Sequence, residues 1–149
     1  GPQEMSETPI RCVVDASVGI KLFVEEEFSD KVQRLFAFLA DESPAEFHVP
    51  DLFYIECANI LLKYTSRYKR PLADSQADLA DLHELALRPT STAELMQEAL
   101  TLAHDKKLTA YDACYAILAQ KLELPLITAD EPLAKAIKWA VWIGDLELE

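Results

Sequence analysis

The sequence predicts an α/β fold, a three-layer α/β/α sandwich with a central parallel sheet, and three observations carry that prediction. Five short runs have strand character, each pair of successive runs is separated by a segment of helical spacing, and no two runs are joined by a hairpin-type turn. Strands connected through helices pair in parallel by right-handed crossovers, which places helices on the faces of the sheet. A chain of 149 residues with half of them hydrophobic has the size and apolar content of one packed domain, here taken as residues 10 to 149.

Taken in order, Ile10 to Val14 is a β-branched run ending at Asp15, followed by Ser17 as an N-cap and a brief apolar helix through Val24. From Ser29 the spacing of Val32, Leu35, Phe36 and Leu39 predicts a second helix, closed by the turn-rich stretch Asp41 to Pro44. Phe47 to Val49 reads as a strand, and Pro50 suits the entry to a helix over Asp51 to about Arg67. Two adjoining apolar lines on that helix, Leu52 to Leu62 and Phe53 to Tyr64, predict deep burial. After Pro71, Asp74 or Ser75 caps a helix to about Leu85, with Ala77, Leu79, Leu82 and Leu85 inward.

Ala86 to Thr90 is the third strand, and Thr92 with Glu94 opens a helix carrying Leu95, Ala99, Leu102 and Ala103. Thr109 to about Leu122 is the clearest helix, with Thr109 as its cap. Leu124 to Thr128 is the fourth strand, Glu131 to Lys138 resumes helical spacing, and Ala140 to Ile143 reads as a last core strand.

The opening Gly1 to Pro9 is polar, and Gly1-Pro2 ahead of Met5 resembles the scar of a cleaved expression tag, expected to lack fixed structure. No apolar run reaches the roughly 18 residues a membrane helix needs, so a cytoplasmic protein without membrane contact is expected. Cys12, Cys57 and Cys114 are widely spaced among apolar neighbours and read as buried free thiols. A formal net charge of −12 argues against a protein that coats nucleic acid non-specifically, because a polyanion is repelled at long range. His48, His83 and His104 lack ligand-like spacing, and Trp139 and Trp142 frame the last strand as packing or interface residues.

In open parallel sheets the functional crevice lies beyond the carboxyl ends of the strands. Asp15 and Asp130 both stand at strand ends, and adjacent strands would bring them to one rim. Asp112 falls in the first turn of its helix and Glu56 in the early turns of the helix after Pro50. Each acid has a structural alternative: Asp15 and Asp130 suit N-caps, Asp112 suits a helix dipole, and Glu56 suits a polar rim. Yet Glu56 stands between Ile55 and Cys57, and Asp112 between Tyr111 and Ala113, surfaces that charges rarely enter alone. Four converging carboxylates suit an oxygen-preferring ion such as Mg²⁺ or Mn²⁺.

The stretches Val13-Val14-Asp15-Ala16-Ser17, Tyr54-Ile55-Glu56-Cys57-Ala58-Asn59-Ile60-Leu61, Thr109 to Ala119 and Leu126-Ile127-Thr128-Ala129-Asp130 resemble PIN-domain proteins, notably the VapC-like toxins, in order and spacing. The resemblance implies that Asp15, Glu56, Asp112 and Asp130 form a catalytic, metal-holding quartet, with Ser17, Asn59 and Thr128 as supporting polar residues. It also implies a metal-dependent endoribonuclease, a VapB-like antitoxin and a homodimer. Lys63, Arg67, Lys69 and Arg70, with Tyr64, Tyr68 and Arg88 nearby, are the densest basic stretch and a candidate RNA track, and Lys106-Lys107 is a second. Three other readings compete: a stand-alone PIN protein in RNA processing, a PIN-fold interaction protein whose acidic pocket takes a basic partner, and a phosphoacceptor domain. The last wants an acidic pair after its first strand, where Asp15 stands alone.

Overall fold

The computed structural model describes residues 9–40 and 44–148; the reading of the first eight residues as a tag remnant, and of Asp41 to Ser43 as a turn, falls outside these. Strands β1 (Arg11–Val14), β2 (Glu46–Pro50), β3 (Leu87–Thr90), β4 (Leu126–Thr128) and β5 (Ala140–Trp142) form one sheet in the order β3-β2-β1-β4-β5. Every pairing is parallel, with Cys12 opposite Phe47, Val14 opposite Ile127 and Thr128 opposite Trp142. Val13, Val14 and Leu126 are fully buried, as strands covered by helices on both faces must be. The expected three-layer sandwich is the fold observed.

The helices are α1 (Ala16–Gly19), α2 (Ser29–Phe36), α3 (Leu52–Arg67), α4 (Leu72–Glu84), α5 (Met96–Lys106), α6 (Ala110–Leu122) and α7 (Glu131–Ala136). Short 3₁₀ turns extend α1 and α2 and precede α5. Helix α6 is the interior one: Ala113 through Ala119 are all buried, and its small residues let it lie against β1 and β2. All three cysteines are buried free thiols, as expected.

Four local expectations are corrected. Ser17 does not cap α1; Asp15 does, because its extended backbone and carboxylate stand one place nearer the strand and accept the Val18 N–H at 3.2 Å. Helix α3 is buried only along Phe53, Cys57 and Leu61, while Ile55 and Leu62 face outward, since an outer-layer helix meets the core along a single stripe. Helix α4 begins at Leu72, ahead of the expected caps; Ala77 is exposed, and Ser75 is instead buried with its hydroxyl 2.9 Å from that of Thr65. Strand β5 lies at the sheet edge and is half-buried throughout, because nothing pairs beyond it. At the opposite edge β3 holds Pro89, which an edge strand tolerates because a ladder N–H is not required there.

From β1 the chain runs outward to β2 and β3, then returns to place β4 on the other flank of β1. The strand order therefore reverses between β1 and β4, and the ends of those two strands flank the crevice that such a reversal opens.

Candidate functional site

Asp15 leaves β1 at this reversal and is only 4% exposed. Its Oδ1 accepts the Ser17 hydroxyl at 2.6 Å and the Val18 N–H, and its Oδ2 accepts the Thr128 hydroxyl from the end of β4 at 2.5 Å. Thr128 is fully buried, and its Oγ1 also accepts the Asp130 N–H at 3.0 Å. Ser17 Oγ accepts the Ala129 N–H at 3.0 Å. Two hydroxyls thus stitch the β1 end to the β4 end. Asp130 caps α7 by accepting the Leu133 N–H at 3.0 Å, with Pro132 in the first turn.

Asp112 and Glu56 come from helices. Thr109 caps α6 by accepting the Asp112 N–H at 3.1 Å, so Asp112 sits in the first helical turn. The start of α3 is latched to the end of β3: Asp51 Oδ1 accepts the Thr92 hydroxyl at 2.6 Å, and Thr92 Oγ1 accepts the Leu52 N–H at 3.0 Å. One turn further on, half-buried Glu56 accepts the Tyr115 hydroxyl on Oε1 at 2.6 Å.

Electrostatics bind the four acids into one group centred on Asp112, which acts on Asp15 and on Glu56 and is itself acted on by Asp130. Burial pushes the Asp15 carboxyl up to about 6, against its three hydrogen bonds and with a small further push from Asp112. Glu56 is raised by burial and by Asp112, against the lowering effect of Tyr115. Asp112 is raised by burial and then by Asp130, against Thr109. Among the described residues, no salt bridge reaches any of the four carboxylates.

The donor set is therefore all oxygen, strongly negative and without a protein counter-charge, which is the chemistry an oxygen-preferring divalent cation fits. Its spacing is looser than a finished cage: among the described residues, no three His, Cys, Asp or Glu side chains are grouped closely enough to hold an ion as they stand.

The structure links Asp15, Ser17, Glu56, Asp112, Thr128 and Asp130 through hydrogen bonds and electrostatics, and Asn59, Lys63, Arg67, Lys69 and Arg70 are not part of that linkage. Asn59 is exposed on α3 and makes no hydrogen bond to the acids. Lys63 and Arg67 lie about 10 and 16 Å along α3 from Glu56, at 1.5 Å per residue, toward the opposite rim of the sheet. Arg70 is paired with Asp78, and Arg88 reaches Glu46 at 3.7 Å. Exposed Lys106 and Lys107 end α5 directly before the Thr109 cap. None of the three histidines joins the site: His48 meets Glu46 at 3.1 Å, His83 stacks on Tyr54 with ring centres 4.9 Å apart, and His104 is exposed. Trp139 donates to the Ala116 carbonyl at 2.8 Å, and Trp142 packs edge-on against Phe28.

The residue that sequence reasoning passed over is Tyr115. Its signal was its position three residues after Asp112, in the stretch Ala113 to Ala119 where every other side chain is small or aliphatic.

Comparisons with known proteins agree with this geometry. The chain is 36% identical to Ribonuclease VapC3 of Pyrobaculum aerophilum over 128 residues, which is 85% of this chain and 94% of that protein. The crystal structure of PAE2754 from Pyrobaculum aerophilum superimposes with a TM-score of 0.70 at 24% identity, covering 92% of this chain and 93% of that one. A toxin-antitoxin complex from Klebsiella pneumoniae superimposes with a TM-score of 0.64 at 20% identity, covering 89% and 97%. The sequence of residues 12–138 matches the PIN domain, and with an acidic rim at the β1–β4 reversal and a parallel five-stranded sheet, the chain belongs to the PIN-domain family.

Proposed function

We propose that this protein is a divalent-metal-dependent endoribonuclease, the toxin of a VapBC-type pair. The observation that carries the reading is the electrostatic linkage of four acids through Asp112, which raises Asp15 and Glu56 and is itself raised by Asp130, with no salt bridge to any of them among the described residues. The similarity to Ribonuclease VapC3 over nearly the whole of both chains supports RNA as the substrate. A bound Mg²⁺ or Mn²⁺ supplies two things to phosphodiester hydrolysis: an activated water and polarisation of the phosphate oxygen.

The protein's own part is to hold and orient. Asp15, Glu56, Asp112 and Asp130 would provide the carboxylate ligands, and a divalent ion among them would offset their mutual repulsion. Ser17 and Thr128 fix the Asp15 carboxylate in one orientation through their hydroxyls. No carboxylate is assigned as nucleophile. Lys106 and Lys107, exposed and adjacent in sequence to the Asp112 helix, are the candidates for gripping RNA phosphate.

Partners follow from the same resemblance. Toxin-antitoxin assemblies among the solved structures of this fold support a VapB-like antitoxin as partner, and a basic side chain is the chemistry that would suit the acidic rim. An exposed apolar groove lined by Leu52, Met96, Leu100, Ala110 and Tyr111 lies between α5 and the start of α6 and supports association into a homodimer.

The test uses purified protein with labelled single-stranded RNA and Mg²⁺ or Mn²⁺, beside an EDTA control and the Asp15→Asn and Asp112→Asn variants. Cleavage by the parent alone, abolished by EDTA, is the expected result. A parent protein that binds neither ion and cuts no RNA overturns the reading.

A further inference from the structure

Tyr115 is 1% exposed, and its ring is wedged in the buried run of α6. A buried phenol needs an acceptor, and the one it has is a carboxylate from another helix: its hydroxyl donates to Glu56 Oε1 at 2.6 Å. Glu56 sits on the outer helix α3 with three side-chain torsions of its own, so without a partner its carboxylate samples several positions. The Tyr115 bond fixes it to α6, the helix that carries Asp112 three residues earlier. It occupies Oε1 and leaves Oε2 without a protein partner among the described residues.

We propose that Tyr115 is a positioning residue of the acidic site, holding the Glu56 carboxylate against the Asp112 helix so that one oxygen stays turned to a divalent ion. This rests on the metal-dependent reading above. Tyr115 touches neither ion nor RNA; it acts through Glu56, as groups behind a ligand commonly do in metal sites.

The test is titration of Mn²⁺ into ion-free full-length protein, followed by calorimetry, with thermal unfolding measured alongside. Tyr115→Phe keeps the ring and removes the donor, and a roughly tenfold weaker Mn²⁺ affinity is expected. Glu56→Asp keeps a carboxylate but shortens it beyond reach of the hydroxyl, and a loss at least as large is expected because the ligand itself is drawn back. Adding Tyr115→Phe to Glu56→Asp is expected to cost no further affinity, because the bond is already gone. A Tyr115→Phe protein that unfolds at lower temperature yet binds Mn²⁺ like the parent has lost packing only, and overturns the proposal. So does an additive loss in the double variant, which also decides the matter if the single Tyr115 variant folds poorly. A parent that binds no Mn²⁺ overturns the metal reading and this inference together.

Discussion

Thr128 and Asp15, 113 residues apart in sequence, are joined by a 2.5 Å hydrogen bond from the threonine Oγ1 to the aspartate Oδ2. The same hydroxyl accepts the Asp130 N–H, so one buried oxygen couples the first acid of the rim to the last. Thr128→Val keeps the shape and removes both bonds. It is expected to lower stability by about 2 kcal/mol, the usual cost of leaving buried polar groups unpaired. Denaturant titration checks the stability, and RNA cleavage is expected to fall with it; an unchanged midpoint counts against this coupling.

Asp15 makes the ion-free protein pH-sensitive. Its carboxyl titrates at about 6 in the fold against 3.8 in the open chain, so the folded state keeps its proton over a range where the unfolded state has lost it. Stability from this group is fully present below pH 4 and declines as pH rises to about 6, by about 3 kcal/mol in all. In EDTA, Asp15→Asn is therefore expected to be the more stable protein at pH 7, with a shallower pH dependence than the parent. Chemical denaturation at a series of pH values reads the difference, and parallel curves would refute it.

Gly19 ends α1 against the ring of Phe53, and a Cβ there would stand 2.7 Å from the ring edge. Phe53 is fully buried and has no room to give way. Gly19→Ala is expected to cost about 2 kcal/mol by overpacking. The thermal midpoint should drop by several degrees, and a midpoint at or above the parent's would show that α1 can shift instead.

The two basic stretches should separate in kinetics. Lys106→Ala with Lys107→Ala is expected to raise the KM for RNA several-fold with kcat retained, since those lysines adjoin the Asp112 helix. Lys63→Ala, Arg67→Ala and Lys69→Ala together should leave both constants within about twofold, as they lie down α3 from the rim. Steady-state cleavage of one RNA substrate compares them directly, and the reverse ranking would move the RNA path to α3.

The sequence was most informative where a signal was local. Thr109 and Asp130 announced their helices through capping chemistry, and all five strands and all major helices lay close to where hydrophobic periodicity put them. The acids were legible as residues at element ends, and the adjacency of β1 and β4 completed the step from Asp15 to Asp130. What periodicity does not carry is which side of a helix meets its neighbour. The two apolar lines on α3 looked equal, yet one faces the core and the other leaves Ile55 70% exposed. Likewise, density of charge along the chain pointed to Lys63 through Arg70, whereas proximity to the rim depends on helix direction. The role of Tyr115 was harder to read for a related reason: its partner, 59 residues away, is defined only by how α3 and α6 pack.

The pairing of β1 with β4 also sets a timetable. A ribosome makes the chain from its amino end, and β1 stands in the middle of the sheet with one flank open until residues near Thr128 have been added. The Asp15 carboxylate cannot receive the Thr128 hydroxyl, nor stand beside Asp130, until β4 has been synthesised and has left the ribosome. A nascent copy therefore emerges with its acidic rim unassembled, and that rim closes only after β4 has joined β1.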